Sequence, residues 1–250
     1  MRVGLIGDIH GNAPALDAVL AELEHERVDR IVCLGDVAIG PQPRETVDRI
    51  AAIGCPVVMG NWDACLLGAA PDVQGELEGV LSALCSWAGE QLTPRHRDRV
   101  RGYAETVEVD LGEGASLLAF HGSPRSYADW ILATTPDDEL DEMLAGREAT
   151  VLAGAHTHFQ LVRRHGESLL VNAGSVGLAF RRREPGVMRI SPWAEYGVVV
   201  RADGRLSVEL RRTDYDVERF LESMRASGMP HADWWAELWS DQPRAVPTAP

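Results

Sequence analysis

Three short apolar stretches alternate with helical patterns in the first third of the chain, and this alternation constrains the fold more than any other feature. The predicted strands are residues 3–6, 30–34 and 56–59, and they lead into Gly7-Asp8, Gly35-Asp36 and Gly60-Asn61. A β-α-β-α-β order predicts parallel strands that are joined by right-handed crossovers. Ligands of such sheets bind beyond the carboxyl ends of the strands, so we expect the polar residues to lie together there.

The rest of the chain continues the pattern of strands that end in polar residues. Strands predicted at 106–109, 116–120 and 150–153 are followed by His121 and by the pair His156 and His158. Hairpins are predicted from 159–163 with 168–171 and from 197–201 with 205–210, and helices at 44–53, at 77–87, from Thr93, from Thr135, at 217–225 and at 234–239. We expect one domain over residues 1–240, with a helical insertion at about 64–103 and a disordered tail at 241–250.

Composition and charge exclude several kinds of function. The formal net charge of −14 disfavours a protein that coats nucleic acid or lies on a membrane surface, because both need basic faces. All 24 basic residues are Arg, which excludes lysine chemistry and a P-loop. No stretch reaches transmembrane length, and no signal peptide precedes the first motif. Since no Cys-x-x-Cys pair occurs, we expect Cys33, Cys55 and Cys65 to be buried thiols in a soluble, cytoplasmic protein.

Seven residues at the ends of the predicted strands form a candidate set of metal ligands. Each of them offers an oxygen or an imidazole nitrogen, which suits Mn²⁺, Fe or Zn²⁺ better than a thiolate site would. Seven ligands are too many for one ion but fit two ions if one carboxylate bridges them. Two ions about 3.5–4 Å apart can clamp a phosphoryl group and activate a water between them. The set is Asp8, His10, Asp36, Asn61, His121, His156 and His158.

These motifs, in this order, resemble those of the calcineurin-like metallophosphoesterases. The family pattern is Asp-x-His, Gly-Asp, Gly-Asn-His-Asp/Glu, His and Gly-His-x-His, and it is matched here from Asp8 to His158. His-Gly-Ser-Pro at 121–124 and Asn-x-Gly-Ser-Val-Gly at 172–177 are similar to motifs of the small bacterial and archaeal phosphodiesterase branch. The resemblance spans nearly the whole chain and implies a four-layer α-β-β-α sandwich of two mixed sheets.

The resemblance also implies a chemistry and a role for each matched residue. A metal-bridging hydroxide would hydrolyse phosphodiesters, nucleotides among them, or activated phosphomonoesters. The first metal is assigned Asp8, His10, Asp36 and His158, and the second is assigned Asp36, Asn61, His121 and His156. Mn is the metal that we expect first, with Fe, Zn, Ni and Mg as alternatives.

From these assignments we predict which residues act on the substrate. Arg pairs with phosphate through two hydrogen bonds at once, so arginines that follow the two late motifs are candidates for holding substrate oxygens. The predicted catalytic residues are Asp36, Asn61, Asp63 and His121, and the predicted substrate-binding residues are Asn12, Trp62, Arg125 and Arg183.

Trp62 departs from the family pattern, which commonly has a histidine that protonates the leaving oxygen at this position. An indole N–H donates a hydrogen bond but is not a usable acid. Losing a general acid typically costs about 10²–10⁴-fold in rate. Trp62 either stacks on a base or an aromatic leaving group or serves as packing bulk, and the sequence leaves both interpretations open.

Two other functions stay open beside a metal-dependent phosphoric ester hydrolase. One is a dinucleoside polyphosphate hydrolase or protein phosphatase on the same site, and the other is a non-catalytic protein-interaction module, as in some relatives. Those relatives lack several ligands, whereas here every ligand position is filled, which favours an enzyme. We expect a small phosphoester or nucleotide substrate, no extended nucleic-acid binding and no membrane, and a homo-oligomer is left open.

Overall fold

The computed structural model describes residues 1–70, 77–184 and 187–240, and of residues 182–184 and 187–188 only the backbone is described. The strands are β1 Arg2–Ile6, β2 Arg30–Cys33, β3 Val107–Gly112, β4 Ala115–Ala119, β5 Val151–Gly154, β6 Leu161–His165, β7 Ser168–Asn172, β8 Phe180–Glu184, β9 Val187–Ile190, β10 Trp193–Ala202 and β11 Arg205–Asp214. The helices are α1 Ala13–His25, α2 Pro43–Ile53, α3 Asn61–Leu66, α4 Glu78–Gln91, α5 Pro94–Arg101, α6 Asp137–Leu144, α7 Val217–Ala226 and α8 Ala232–Glu237. The tail predicted at 241–250 lies outside the described residues.

The first sheet has the strand order β11-β10-β1-β2. β1 and β2 are parallel, as the β-α-β pattern predicts, while β10 runs antiparallel to both β1 and β11. The predicted strand at 56–59 is reduced to two parallel bridges, Cys33 with Val57 and Val58 with Ala104. This short stretch still extends the sheet beyond β2, so the chain leaves it beside the ends of β1 and β2.

The second sheet has the order β3-β4-β5-β7-β6, with β4, β5 and β7 parallel to one another. Its β6–β7 hairpin and the β10–β11 hairpin of the first sheet are both as predicted. A small β8–β9 ribbon was not predicted. Arginines fill most of β8, and β9 is too short and too irregular in its apolar residues to alternate, so the sequence carries no strand periodicity there.

Three apolar clusters define four layers. Between the sheets, Val3 and Leu5 of β1 pack with Leu117 of β4 and Val151 of β5. Helices α1, α2 and α7 cover the outer face of the first sheet, and α6 covers the outer face of the second. Both main sheets are mixed, so the predicted α-β-β-α sandwich is confirmed.

The helices begin where local chemistry favours them. Asn12 caps α1 by accepting from the Ala15 N–H, and Thr93 caps α5 by accepting from the His96 N–H. α6 follows Pro136 with Asp137, Asp138 and Glu139 in its first turn, although the Thr135 hydroxyl accepts from the Leu132 N–H rather than from the helix. No helix within the described ranges has both the length and the apolar character that a membrane span requires.

A disulfide joins Cys65 on α3 to Cys85 on α4, so the prediction that Cys65 is a buried thiol is wrong. The two helices pack side by side and bring residues that are 20 apart in sequence to a Cα–Cα distance of 6.4 Å. No local spacing signals such a pairing, because it depends on how α4 returns onto α3. Cys33 and Cys55 are free thiols, as predicted.

Candidate metal centre

The polar residues that follow the strands of both sheets converge at one edge of the sandwich. The backbone itself ties the first two segments together, because the Asp8 N–H donates to Gly35 O at 2.9 Å and the His10 N–H donates to Asp36 O at 3.0 Å. The segment that follows β5 of the second sheet is linked to the first sheet, because the His156 N–H donates to Asp8 Oδ2 at 3.0 Å. Hydrogen bonds donated by backbone N–H groups thus fix the positions of Asp8, His10, Asp36 and His156.

Two triads of ligand-type side chains form at this edge. The first is Asp8, His10 and His158, and the second is Asp36, His121 and His156, with the ligand atoms of each triad within 4.8 Å of one another. Asn61 joins the second triad, since its Oδ1 lies 3.0 Å from His121 Nε2 and 3.0 Å from His156 Nδ1. The structure therefore brings together all seven residues that the sequence singled out.

Asp36 belongs to the second triad, and its side chain also approaches the first. Its Oδ2 is 3.4 Å from His121 Nε2 in the second triad and 3.8 Å from His10 Nε2 in the first. Asp8 Oδ1 is slightly farther from His121 Nε2, at 4.0 Å, so Asp36 is the carboxylate better placed to be shared by two ions.

The distances within the first triad fit a bound cation. Nitrogen and oxygen ligands lie about 2.0–2.2 Å from a metal such as zinc, which puts neighbouring ligand atoms roughly 3–3.5 Å apart. His158 Nε2 lies 3.5 Å from Asp8 Oδ1 and 3.1 Å from His10 Nε2. Asp8 Oδ1 is buried without a hydrogen-bond partner among the described residues. A buried, unsatisfied carboxylate oxygen that faces ring nitrogens is what a cation would stabilise.

Hydrogen bonds to carbonyl groups orient two of the histidines. His121 Nδ1 donates to Leu34 O at 2.7 Å, and His158 Nδ1 donates to Leu178 O at 2.9 Å. Because a carbonyl oxygen can only accept, each Nδ1 carries a proton. Nε2 faces the triad, and its lone pair can bind a metal once that nitrogen is deprotonated. Such outer contacts fix the tautomer of metal-binding histidines.

Burial and neighbouring charges set the protonation states. Burial lowers the pKa of His10 and of His156 to about 4, so both rings are neutral at pH 7. Burial alone would raise the pKa of Asp8 and Asp36, but His158 and His121 respectively pull these values below the usual range. Burial also opposes protonation of His121, yet the charge of Asp36 raises its pKa to about 9. A metal ion bound by His121 would displace the proton from its Nε2, because that nitrogen is the ligand atom.

Five of the seven ligand residues adopt a left-handed backbone conformation, which is uncommon outside glycine. Asp and His are enriched among the residues that tolerate it, and strained conformations of this kind cluster at functional sites. The φ values are 50° for Asp8, 48° for His10, 54° for Asp36, 68° for His156 and 61° for His158.

Asp63, a predicted catalytic residue, lies behind the ligands and holds the Asp36 loop. It is fully buried, and it accepts from the N–H groups of Asp36 at 2.7 Å, Val37 at 3.0 Å and Gly60 at 3.3 Å. Burial and the charge of Asp36 raise the pKa of Asp63 to about 7, while the N–H donors of Val37 and Gly60 oppose the rise. The geometry makes Asp63 a positioning residue for Asp36.

The four predicted substrate contacts differ in their position relative to the metal ligands. Asn12 is fully buried and occupied, because it caps α1 and its Nδ2 donates to Gly177 O at 3.2 Å. Arg125 donates to Asp129 Oδ2 at 2.8 Å and helps to fold the loop after His121. Arg183 lies in β8, and its side chain falls outside the described part of the structure. Trp62 is half-buried and lines a cavity beside the metal ligands.

The sequence reasoning missed Trp130, which lies in the same loop as Arg125. Its ring lies edge-on to the His156 ring with the centroids 5.4 Å apart, and half of its surface is exposed. Asp129 anchors the loop immediately before it by accepting from the Ser123 hydroxyl at 2.7 Å. The signal in the sequence was a lone tryptophan, nine residues after His121, in a stretch without helix or strand periodicity.

Comparisons with known proteins show similarity in sequence and in fold. A family model for the calcineurin-like phosphoesterase superfamily domain matches residues 1–192. The crystal structure of a metallophosphoesterase from Sphaerobacter thermophilus is similar, with a TM-score of 0.72 and 25% identity, covering 93% of this chain and 96% of that one. A hypothetical protein from Pyrococcus horikoshii shares the fold, with a TM-score of 0.78, 20% identity and coverage of 97% and 99%.

One curated protein is also similar in sequence along nearly its full length. It is an uncharacterized protein of Methanocaldococcus jannaschii, 24% identical over 244 residues, with 94% of this chain and 96% of that protein covered.

Proposed function

We propose that this chain, which belongs to the calcineurin-like phosphoesterase superfamily, hydrolyses phosphoesters with the help of two divalent metal ions. The observation that carries the proposal is the position of Asp36 Oδ2, 3.4 Å from His121 Nε2 and 3.8 Å from His10 Nε2. A carboxylate between two ligand triads supports two neighbouring ions rather than one. Ions so close together suit the clamping of a phosphoryl group.

The residues that would hold the ions follow from the two triads. Asp8, His10 and His158 would bind one ion, while His121, His156 and Asn61 would bind the other, with Asp36 shared. The donors are oxygens and imidazole nitrogens, which suit Mn²⁺, Fe or Zn²⁺, and we propose Mn²⁺ first. Bound there, divalent ions supply Lewis acidity and lower the pKa of a coordinated water.

The protein's own contribution is to keep two of the ligand histidines neutral and to hold the ligands in place. Burial keeps His10 and His156 neutral at pH 7, so their lone pairs are available. The three N–H groups that bind Asp63 hold the backbone on which Asp36 is mounted, and the N–H of Trp62 donates to Asp36 Oδ1 at 2.9 Å. This leaves Asp36 Oδ2 free to face both triads.

The leaving group has no evident proton donor from the chain. Trp62 stands where the family pattern commonly has a histidine, and the titratable side chains among the described residues lining the adjacent cavity are the ligand histidines His10, His156 and His158. Departing oxygens must therefore carry their own charge, which favours phosphodiesters or monoesters with acidic leaving groups. We propose this substrate class.

A cytoplasmic location remains part of the proposal, and the cysteines offer a way to examine it. The free thiols of Cys33 and Cys55 are compatible with a reducing compartment, whereas a disulfide such as Cys65–Cys85 is unusual there. Trapping thiols with an alkylating reagent in intact cells, before lysis, would count how many of the four cysteines are reduced. Four reactive thiols under denaturing conditions are expected in a reducing cytoplasm, and two in an oxidising compartment.

The test of the proposed function combines metal content with hydrolysis. Protein stripped by a chelator should lose hydrolysis of bis(p-nitrophenyl) phosphate, and Mn²⁺ should restore it. Elemental analysis should find two ions per chain in the wild type, and Asp36→Asn should weaken both sites because its charge serves both. Asp48→Asn is the matched control, since Asp48 is an exposed residue of α2 that pairs with Arg99.

Two results would contradict the proposal. A maximum of one ion per chain would remove the two-metal arrangement. No hydrolysis of any phosphoester with Mn²⁺, Fe²⁺, Ni²⁺ or Zn²⁺, in protein that binds the metals, would favour a non-catalytic interaction module.

A further inference from the structure

A cavity of about 280 Å³ adjoins the metal centre. Four of the residues that line it are candidate ligands from both triads, namely His10, Asn61, His156 and His158. A phosphoryl group held at the metal centre would thus have its attached organic group at the mouth of this cavity. The cavity is part of the same site and not a separate pocket elsewhere on the fold.

Apart from those ligands, the walls of the cavity are mostly apolar and aromatic side chains, among them Trp235, whose buried indole N–H has no hydrogen-bond partner among the described residues. Leu81 and Leu84 of α4 form one wall, Phe220 and Met224 of α7 form another, and Trp62 and Trp130 flank the side nearest the metal centre. Among the described residues that line it, none is Asp, Glu or Arg. Phe220 and Met224 are almost completely buried, so they lie at the inner end of the cavity.

Mostly apolar walls favour apolar organic groups over polar ones. The indole N–H of Trp235 could serve one polar atom of a ribose or a nucleobase, but the other hydroxyl groups and ring nitrogens inside the cavity would lack partners. Each such buried atom lowers affinity by roughly five- to 150-fold. An apolar group gains affinity instead, by roughly fourfold for each methylene that is removed from water. The cavity therefore selects against nucleotides and sugar phosphates and for apolar esters.

We infer that the substrate is a phosphoester whose organic group is apolar, aryl or alkyl, and fills this cavity while its phosphoryl group occupies the metal centre. The inference rests on the proposed function. A cavity of about 150 Å³ is enough for one benzene ring, so the observed volume accommodates about two rings. Trp62 and Trp130 present aromatic surfaces to such a group where it meets the phosphoryl group.

The experiment measures binding with phosphonates, which carry a carbon–phosphorus bond that is not hydrolysed. Mn²⁺-loaded protein is titrated by calorimetry with methyl-, butyl-, hexyl-, phenyl-, naphthyl- and anthracenylphosphonate, and with AMP for comparison. Affinity should rise roughly fourfold per methylene along the alkyl series. It should peak at naphthyl, fall at anthracenyl and be weaker for AMP than for phenylphosphonate. Equal affinity along the series, or a preference for AMP, would overturn the inference.

A variant pair tests whether this cavity is where the organic group binds. Leu81→Ala enlarges the cavity, so the size preference should shift from naphthyl towards anthracenyl by roughly threefold or more. Leu20→Ala is the matched control, because Leu20 is also half-buried but lies on α1 and does not line the cavity. A general loss of stability lowers all affinities together and cannot shift the size preference. An unshifted preference in Leu81→Ala would assign the organic group to another surface and overturn the inference.

The same titrations separate this inference from the proposed function. If aryl phosphonates bind with the expected size preference but no ester is hydrolysed, the cavity is supported and the enzyme is not. If esters are hydrolysed but methyl- and naphthylphosphonate bind equally, the enzyme is supported and the cavity inference is refuted.

Discussion

Reduction of the Cys65–Cys85 disulfide should destabilise the protein without weakening the proposed metal sites. The bridge closes a loop of 20 residues in sequence. In the chain-entropy account, opening such a loop lowers the free energy of unfolding by about 3 kcal/mol. For a chain of this length, 1 kcal/mol corresponds to about 2–4 °C, so the melting temperature should fall by roughly 6–12 °C.

The metal ligands should survive the reduction because α3 is held at its other end. Asp63 accepts three backbone hydrogen bonds near the start of α3, from Asp36, Val37 and Gly60. Hydrogen bonds to a charged group contribute about 1.5–3 kcal/mol each, and none of these involves the disulfide. Asn61, the first residue of α3, should therefore stay beside His121 when the bridge opens.

The assay compares thermal melts and metal content of oxidised and reduced protein. Thiol titration under denaturing conditions should rise from two reactive cysteines to four on reduction. Cys85→Ser should reproduce the loss of stability, whereas Cys55→Ala, which removes a free and half-buried thiol, should change stability by no more than about 1 kcal/mol. An unchanged melting temperature with four thiols exposed would refute the entropy argument. Loss of a metal ion on reduction would refute the role given to Asp63.

Two further predictions concern residues next to Asp36. Trp62→His should place a proton donor beside the leaving group. It should accelerate hydrolysis of alkyl esters by up to about 10²–10⁴-fold and change hydrolysis of nitrophenyl esters little. A series of esters with different leaving groups, assayed on both proteins with metal content checked, measures this. A flat leaving-group dependence in the wild type would mean that another group already supplies the proton. Gly60→Ala would place a Cβ 2.0 Å from Asp36 Oδ1, so it should weaken both metal sites and cost about 1–3 kcal/mol of stability. The control is Gly89→Ala inside α4, where the nearest atom is 3.7 Å away and the expected change is a gain of about 0.5–1 kcal/mol; normal metal content in Gly60→Ala would contradict the shared role of Asp36.

The fold, and the set of residues that lie together at one edge of the sandwich, could be predicted from the sequence because both follow from patterns along the chain. Strand periodicity and the β-α-β order determine where strands end, and strand ends of parallel sheets share an edge. This reasoning brought Asp8, Asp36 and His156 together although they are far apart in sequence. It did not extend to side chains whose positions depend on packing between elements.

Three residues show which contacts no sequence pattern records. Cys65 meets Cys85 only because α4 packs on α3, and no local pattern records that contact. Arg125 stays a predicted substrate contact, but the sequence did not indicate its ion pair with Asp129, four residues further on. Trp130 reaches His156 because the loop after His121 folds tightly around Gly122, where an added Cβ would lie 2.7 Å from Tyr127 O.

The left-handed backbone at five ligand positions limits how this protein can change during evolution. Alanine or a branched residue at such a position carries a backbone cost of about 1–2 kcal/mol, whereas Gly, Asn and Asp are tolerated. A descendant that no longer needed metal would therefore be expected to replace Asp8, His10, Asp36, His156 and His158 mainly by glycine or asparagine. In distant homologues, Asn or Gly at these positions would indicate that metal binding was lost while the backbone conformation was kept. Apolar residues there would indicate that the loop conformation itself has changed.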